Sequence, residues 1–396
     1  MKALAPLLST TLTRRELELA RALRERLPEA MDTHATRAFE RRFENWLGHG
    51  HARAFMGGRA ALAMAIRALD LGDNAGVIVP GFTCQCVLNA LAFAGAKAQY
   101  ADIEHTSLGL DVDAVRAAIT PGTRAVMVQH SFGLVGRDFE AILQLAHERG
   151  LKVIEDCAHA LGARHRGLPL GAYGDVAVYS FERSKVLTTI HGGVALANDA
   201  EAAQRLCALA EAAPLPAADE IDAQLVSVMH DYWVRASGDA AGAERARALW
   251  GERVLPQMWP EEFGISVPPR YGQRMPSAIA RLADAQLDRL DAVLARRRAQ
   301  TAYWQHWASK RGIGYFDAID GSEPAWLRFP LWVDPALKAD RHALENALGV
   351  EVGVWFTTPA HPVARTEAHC PRGMDACQRI VNLPTLLPAS HPHAAA

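Results

Sequence analysis

A three-layer α/β fold is predicted, a mostly parallel sheet with helices on both faces, followed by a smaller C-terminal α+β domain. Three observations predict it. From Met56 to Ala197, short apolar runs alternate with segments whose apolar residues recur at helical spacing, the rhythm of successive βα units. At 396 residues the chain is long enough for one large domain and one smaller one, each with its own core. After residue 277 a long helical stretch leads into a second, shorter α+β alternation.

Taken in order, residues 12–27 and 34–46 place Leu17, Ala20, Leu23 and Leu27 at helical spacing among charges, so residues 1–50 read as two amphipathic surface helices. Residues 51–270 form the large domain. Gly57-Gly58-Arg59-Ala60 opens a helix through Leu69; Val77–Val79 is a strand; a helix covers 85–94; Ala98–Ala101 is a strand; a helix follows Asp111. Strand Ala125–Val128, helix 138–149 and strands Lys152–Glu155, Asp175–Phe181 and Val194–Ala197 continue the pattern. Residues 200–270 are a connecting region of two or three short helices. Its aromatics Tyr232, Trp233, Trp250, Trp259 and Phe263 are expected to pack on the domain. Residues 271–396 form the small domain: a long helix Ser277–Arg311, strand Trp326–Val333, helix 337–348, strand Glu351–Val354, and a disordered tail from His391.

Charge narrows the partners. Lys plus Arg (42) nearly cancel Asp plus Glu (44), so no long-range field favours nucleic acid or an anionic membrane. The partner expected is a small molecule or a second copy of the chain. Residues 77–96 carry no charge, but Pro80-Gly81, Gln85 and Asn89 interrupt them, so no membrane span is read there. The start, with Lys2, Pro6, Arg14 and Arg15, is too interrupted for a signal peptide. Cysteines 84, 86, 157, 207, 370 and 377 fit neither a zinc ribbon nor a dense disulfide framework, which suits a reduced, cytoplasmic protein. His369, Cys370 and Cys377 find no second ligand pair, so no metal is expected.

Three places point to chemistry. Gly57-Gly58-Arg59 stands at a helix start, where free N–H groups and the helix dipole cradle phosphate and Arg59 adds a charged fork; glycine before a helix is also common without any ligand. Val153-Ile154-Glu155-Asp156 ends a buried strand in two acids, one facing the crevice and one the opposite face. The crevice acid suits a metal, a helix cap or a cationic ring nitrogen, and His159 faces the same region. Ser180 and Lys185 follow a third strand. A lysine there is by itself ordinarily a solvated surface residue, but Lys185 lies one supersecondary unit beyond Asp156, so cradle, carboxylate and amine fall on one sheet edge. Pyridoxal 5′-phosphate needs that set: a phosphate cup, an acid for the pyridine nitrogen and an amine for a Schiff base. A nicotinamide dehydrogenase is a poorer reading, because no G-x-G-x-x-G follows the first strand.

The span Gly57–Asp199 resembles the DegT/DnrJ/EryC1/StrS sugar aminotransferases. The resemblance is carried by Gly57–Leu62, Val77–Thr83, Tyr100–Ile103, His130–Gly133, Val153–Ala163, Ser180-Phe181, Lys185 and Gly192-Gly193. It implies a pyridoxal-phosphate enzyme that works as a homodimer and moves an amino group from an amino acid such as glutamate to a keto group of a nucleotide-linked sugar. Lys185 would carry the cofactor and shuttle the proton, Asp156 would pair with the pyridine nitrogen, and Ser180 with Gly58 and Arg59 would hold the phosphate. His159 takes the family's Gln-or-His place beside the ring. Cys84 stands where an aromatic residue commonly stacks on the ring, and Gly272 replaces the asparagine of a loop that reaches the partner's phosphate. The alternatives in the same frame are a sugar dehydratase, in which family members usually have His at the Lys185 position, and a catalytically silent relative.

Overall fold

Among the residues described by the computed structural model, 4–266 and 268–395, seven strands form the central sheet. They are β1 (His51–Phe55), β2 (Gly76–Pro80), β3 (Lys97–Ala101), β4 (Thr123–Gln129), β5 (Lys152–Asp156), β6 (Val176–Ser180) and β7 (Gly193–Ala197). Their spatial order is β1-β7-β6-β5-β4-β2-β3. The run from β6 to β3 is parallel, and β7 and β1 close one edge antiparallel. Lys2 and Ala396, which the readings of the N-terminus and of the tail include, lie outside the described residues.

The period-two alternation of each strand divides the core. Val77 and Val79, Ala125 and Met127, Ile154, and Val176 and Val178 face one side; Ile78, Val126 and Val128, Val153, and Ala177 and Tyr179 face the other. The second face packs on α1 (Arg14–Glu25), α2 (His34–Leu47) and the helices Phe139–Glu148 and Ser277–Leu287. The first is covered by α3 (Gly58–Ala68), α4 (Gln85–Phe93) and the helix Ala200–Ala212. A third core cluster, with Trp304, Phe329, Leu331 and Val381, lies under the C-terminal strands. No helix of the described residues is long and apolar enough to cross a membrane.

Several expectations change. β1 was not anticipated: Ala52 and Ala54 on one side are small, and the other side carries His51 and Arg53 beside buried Phe55, so its alternation is faint. The helix expected over 277–311 is two helices, Ser277–Leu287 and Leu290–Ser309. Ion pairs hold the break: Asp288 takes Arg15 (2.7 Å) and Arg42, while Arg289 reaches Glu16 (2.6 Å). Glu351–Val354 is not a continuous strand, because its neighbours change along it: Val350 bridges Ala5, with Glu351 N–H donating to the Ala5 carbonyl (2.9 Å), while Gly353 bridges Asn382. The strand Ile380–Pro384, which holds Asn382, pairs along its length with Arg328–Trp332. The helix expected over 337–348 is two short pieces, Pro335–Ala339 and His342–Leu348. The tail is ordered through Ala395: His393 Nδ1 meets Tyr303 Oη at 2.7 Å, and His391 Nε2 meets the Gly349 carbonyl at 3.1 Å.

The 200–270 region holds helices Ala200–Ala212, Ala218–Asp231 and Ala240–Trp250. Tyr232, Trp233 and Trp250 pack on the core as expected, whereas Phe263 is 51% exposed.

Candidate active site

The ends of β5 and β6 and the start of α3 meet at one point because of strand alternation. Asp156 shares its side of β5 with Ile154, and Ser180 shares its side of β6 with Val176 and Val178; that side is the α3 side. Glu155 therefore points the other way. There its carboxylate accepts the N–H groups of Gly171 (2.8 Å), Tyr173 (2.7 Å) and Gly174 (2.7 Å) and lies 3.2 Å from His130 Nε2. Glu155 is thus a fastener of the strand-connecting loop, and Asp156 is the acid of the crevice.

α3 begins hard against β6 and β7. Gly57 is its extended N-cap and supplies no side-chain cap, so the first-turn N–H groups are left for another acceptor. Absence of a side chain at Gly58 permits the approach: a Cβ there would lie 2.6 Å from both Cβ and Oγ of Ser180. A Cβ on Gly193 would lie 2.6 Å from the Gly58 Cα. Helix start and Ser180 hydroxyl thus form one small polar cup.

Lys185 stands on the loop from β6 to β7. The loop is closed by Phe181 N–H to Gly192 O (2.8 Å), Thr189 N–H to Phe181 O (2.9 Å) and Lys185 N–H to Glu182 O (2.9 Å). Burial pushes the Lys185 amine below its ordinary pKa, with Arg328 adding to the effect and Glu182, Cys84 and Asp156 opposing it. Asp156 is displaced in the opposite sense: burial raises its pKa, while the Ala158 N–H (3.0 Å) and the Lys185 charge oppose the rise.

A cavity of about 550 Å³ opens over these groups, ample for a cofactor with a substrate beside it. Gly58, Arg59, Cys84, Asp156, His159, Ser180 and Lys185, all anticipated from the sequence, line it together. His159 is neutral, because burial first, and then Lys185 and Arg328, push its pKa well below the ordinary value. Its ring stacks on Trp355, which also lies 5.0 Å beneath the Lys185 amine.

Arg59 lines the cavity but its guanidinium is engaged, ion-paired with Glu262 and donating to the Gln257 carbonyl at 2.7 Å. Glu262 is itself buried and accepts from the Trp259 N–H (2.7 Å) and the Tyr271 hydroxyl (2.8 Å). The stretch 256–263 is in this way pulled over the cup, and Gln257, Met258 and Phe263 reach the cavity. Tyr271 is held inside by the same carboxylate; Gly272 faces Phe93, and Arg274 pairs with Glu40 at 3.4 Å.

Sequence reasoning missed Glu182, Cys86, His191, Trp355, Phe356 and His361, all of which line the cavity. Cys86 and Glu182 had a signal, since each lies within three residues of a recognised position. Trp355, Phe356 and His361 come from a segment whose reach across the sheet no local pattern reveals.

Comparison with known proteins agrees with the geometry. Residues 16–391 match the family described as the DegT/DnrJ/EryC1/StrS aminotransferase family. The L-glutamine:2-deoxy-scyllo-inosose aminotransferase of Streptoalloteichus tenebrarius is 40% identical over 172 residues, 43% of this chain; the match spans only 40% of that protein's length. The UDP-N-acetyl-3-dehydro-alpha-D-glucosamine 3-aminotransferase of Acidithiobacillus ferrooxidans is 27% identical over 88% of this chain and 82% of its own. Among solved structures, an aminotransferase of this family from Brucella abortus superposes with a TM-score of 0.72, 20% identity and coverage of 96% and 93% of the two chains, a likeness of fold. A sheet-end lysine and acid beside a helix-start cup, in a chain matched nearly end to end, identify this protein as a member of the DegT/DnrJ/EryC1/StrS aminotransferase family.

Proposed function

We propose that the chain uses pyridoxal 5′-phosphate to move an amino group from an amino acid, glutamate or glutamine, to a keto group of a nucleotide-linked sugar. The observation that carries the reading is the common orientation of Asp156, Ser180 and the start of α3, with Lys185 facing them across one cavity. The residues fit the cofactor. The cup between Gly58 and Ser180, which a Cβ would fill, suits a phosphate at a helix N-terminus. Asp156 is a buried acid whose charge is costly until a cation faces it, as a protonated pyridine nitrogen would. When bound, the cofactor supplies an electron sink for the carbanion left by loss of the donor's Cα proton.

The chain's own groups do the rest. Asp156 holds the proton on the pyridine nitrogen. Ser180 and the first turn of α3 anchor the phosphate. Lys185, its affinity for a proton lowered by burial, takes the proton from the donor Cα and later delivers one to the former keto carbon of the sugar. His159 and Trp355 form a flat wall that keeps the reacting atoms in register and excludes water, and Trp355 takes over the aromatic role that Cys84 cannot supply. Phe263 lines the cavity yet is 51% exposed, and Ile265 two residues on is 59% exposed, which supports a second copy of the chain covering that side. Six free cysteines support a reducing, cytoplasmic setting.

The nucleotide-sugar acceptor rests on the relative matched over 88% of this chain; the name of the relative matched over 43% points instead to a free keto cyclitol. The test is a two-stage assay. Glutamate or glutamine should bleach the visible band of the cofactor-loaded protein, and a keto sugar nucleotide should restore it. Restoration by a keto cyclitol alone overturns the nucleotide assignment, and a band that no amino acid bleaches overturns the aminotransfer reading.

A further inference from the structure

Two thiols in the cavity wall have no part in aminotransfer. Cys84 is the N-cap of α4, extended at φ −109° and ψ 144°, and Cys86 lies in the first turn. Both line the cavity and both are partly exposed, whereas Cys157, Cys370 and Cys377 are buried. The Cys86 N–H points at the Cys84 sulfur at 3.5 Å. Gln85 between them is helical, which sets the flanking Cα atoms about 5.5 Å apart, the commonest spacing of natural disulfides.

The surroundings favour a thiolate on the second sulfur. The neighbouring Cys84 thiol is the largest influence on Cys86, Arg59 and Lys185 face it as cations while burial and Glu262 oppose them, and Cys86 is pushed down to about 7. Cys84 is held well above the ordinary thiol value by the Cys86 side chain beside it and by burial, while the Cys86 N–H opposes the rise. One sulfur is thus a nucleophile and its neighbour a protonated thiol, an attacking and resolving pair.

We propose that Cys84 and Cys86 are an oxidisable dithiol whose oxidant is a hydroperoxide entering through the cofactor cavity. The Cys86 sulfur attacks the terminal peroxide oxygen; the S–O bond forms, the O–O bond breaks, and hydroxide or alkoxide leaves. Sulfur loses two electrons and the peroxide gains them; the transferred hydroxyl makes Cys86 a sulfenic acid, and the leaving hydroxide or alkoxide takes up the proton that the thiol had released. The Cys84 sulfur then attacks Cys86, the S–S bond forms, the S–O bond breaks, and water leaves with the Cys84 proton. With hydrogen peroxide the sum is dithiol plus peroxide to disulfide plus two waters. The disulfide draws Cys84 towards α4 and alters the wall against which, on the reading above, the cofactor lies.

The experiment uses the full chain treated with hydrogen peroxide, with and without bound cofactor, and reads the peptide that carries both cysteines by mass. Without cofactor the peptide should lose two hydrogens and regain them with dithiothreitol. Cys86→Ser should abolish the change; Cys84→Ser should leave a Cys86 sulfenic acid that dimedone traps; Cys207→Ser should leave the two-hydrogen loss intact. Bound cofactor should slow the oxidation several-fold. Thiols that stay reduced, that oxidise separately, or that pair with another cysteine overturn the proposal. A disulfide that forms equally fast with and without cofactor supports the dithiol and counts against the cofactor reading.

Discussion

The imidazole of His159 lies face to face with the indole of Trp355, centroids 5.4 Å apart and planes 12° apart. His159 Nδ1 accepts the Phe132 N–H at 3.2 Å, which places the ring proton on Nε2. The stack closes one wall of the cavity and keeps water from the imidazole. Trp355→Ala should therefore raise the His159 pKa from its depressed value towards about 6.5. Histidine proton resonances followed against pH check this, and an unmoved titration contradicts the role given to the indole.

Gly58 and Ser180 give a second test. A methyl group at Gly58 would meet Ser180 at 2.6 Å, so Gly58→Ala should cost roughly 1–3 kcal/mol of stability and weaken cofactor binding sharply. Ser180→Ala removes one hydroxyl without a clash, and should weaken binding by about 1.5–3 kcal/mol, the worth of a hydrogen bond to a charged group, with little change in melting temperature. Dialysis equilibrium and thermal unfolding on both variants separate the two effects.

Asp156 links pH to stability. Its pKa is raised in the fold, chiefly by burial, so below the unfolded value the group is neutral in both states, and as pH rises through the folded value ionisation costs folding free energy. Asp156→Asn should accordingly stabilise the cofactor-free protein relative to wild type, with the gap opening as pH rises above the ordinary Asp value of about 4. The same substitution should weaken cofactor binding. Melting temperatures that stay parallel across this range would contradict the assignment.

Arg328 is a buried cation with no ion pair within 4 Å among the described residues, Glu182 and Glu351 acting on it only from further away. It is 1% exposed, its guanidinium lies 4.3 Å over the Trp355 ring, and Nη1 donates to Asn382 Oδ1 at 3.3 Å. Nη2 is buried with no hydrogen-bond partner among the described residues, and burial lowers its pKa to about 9. Arg328→Met should hold or raise the melting temperature, since an unpaired buried charge is removed. KM for donor and acceptor should change together, since Arg328 reaches the site only through the Trp355 ring that it covers. A fall in melting temperature would contradict the reading of Arg328 as an unpaired buried charge and make it a packing residue.

The parallel strands and the polar residues gathered at their ends were legible in the sequence because both are local. Apolar runs mark β2, β5 and β6, and alternation along β5 and β6 decides which side Asp156 and Ser180 take. Lys185 was legible through its spacing from Asp156. Partners from far along the chain were not. Nothing near Glu262 announces that it will seize Arg59, nor anything near Trp355 that it will lie on His159. The break before Leu290 is set by arginines of α1 and α2, while the intervening sequence reads as unbroken helix.

The most direct test of the central claim is to add pyridoxal phosphate, reduce with borohydride and map the labelled peptide. The label should fall on Lys185 and vanish in Lys185→Ala. The competitor is Lys338, a mostly buried amine pushed down to about 8 that donates to the carbonyls of Phe356 and Cys377 at 2.8 Å each. A label on Lys338, or none on any lysine, would contradict the account.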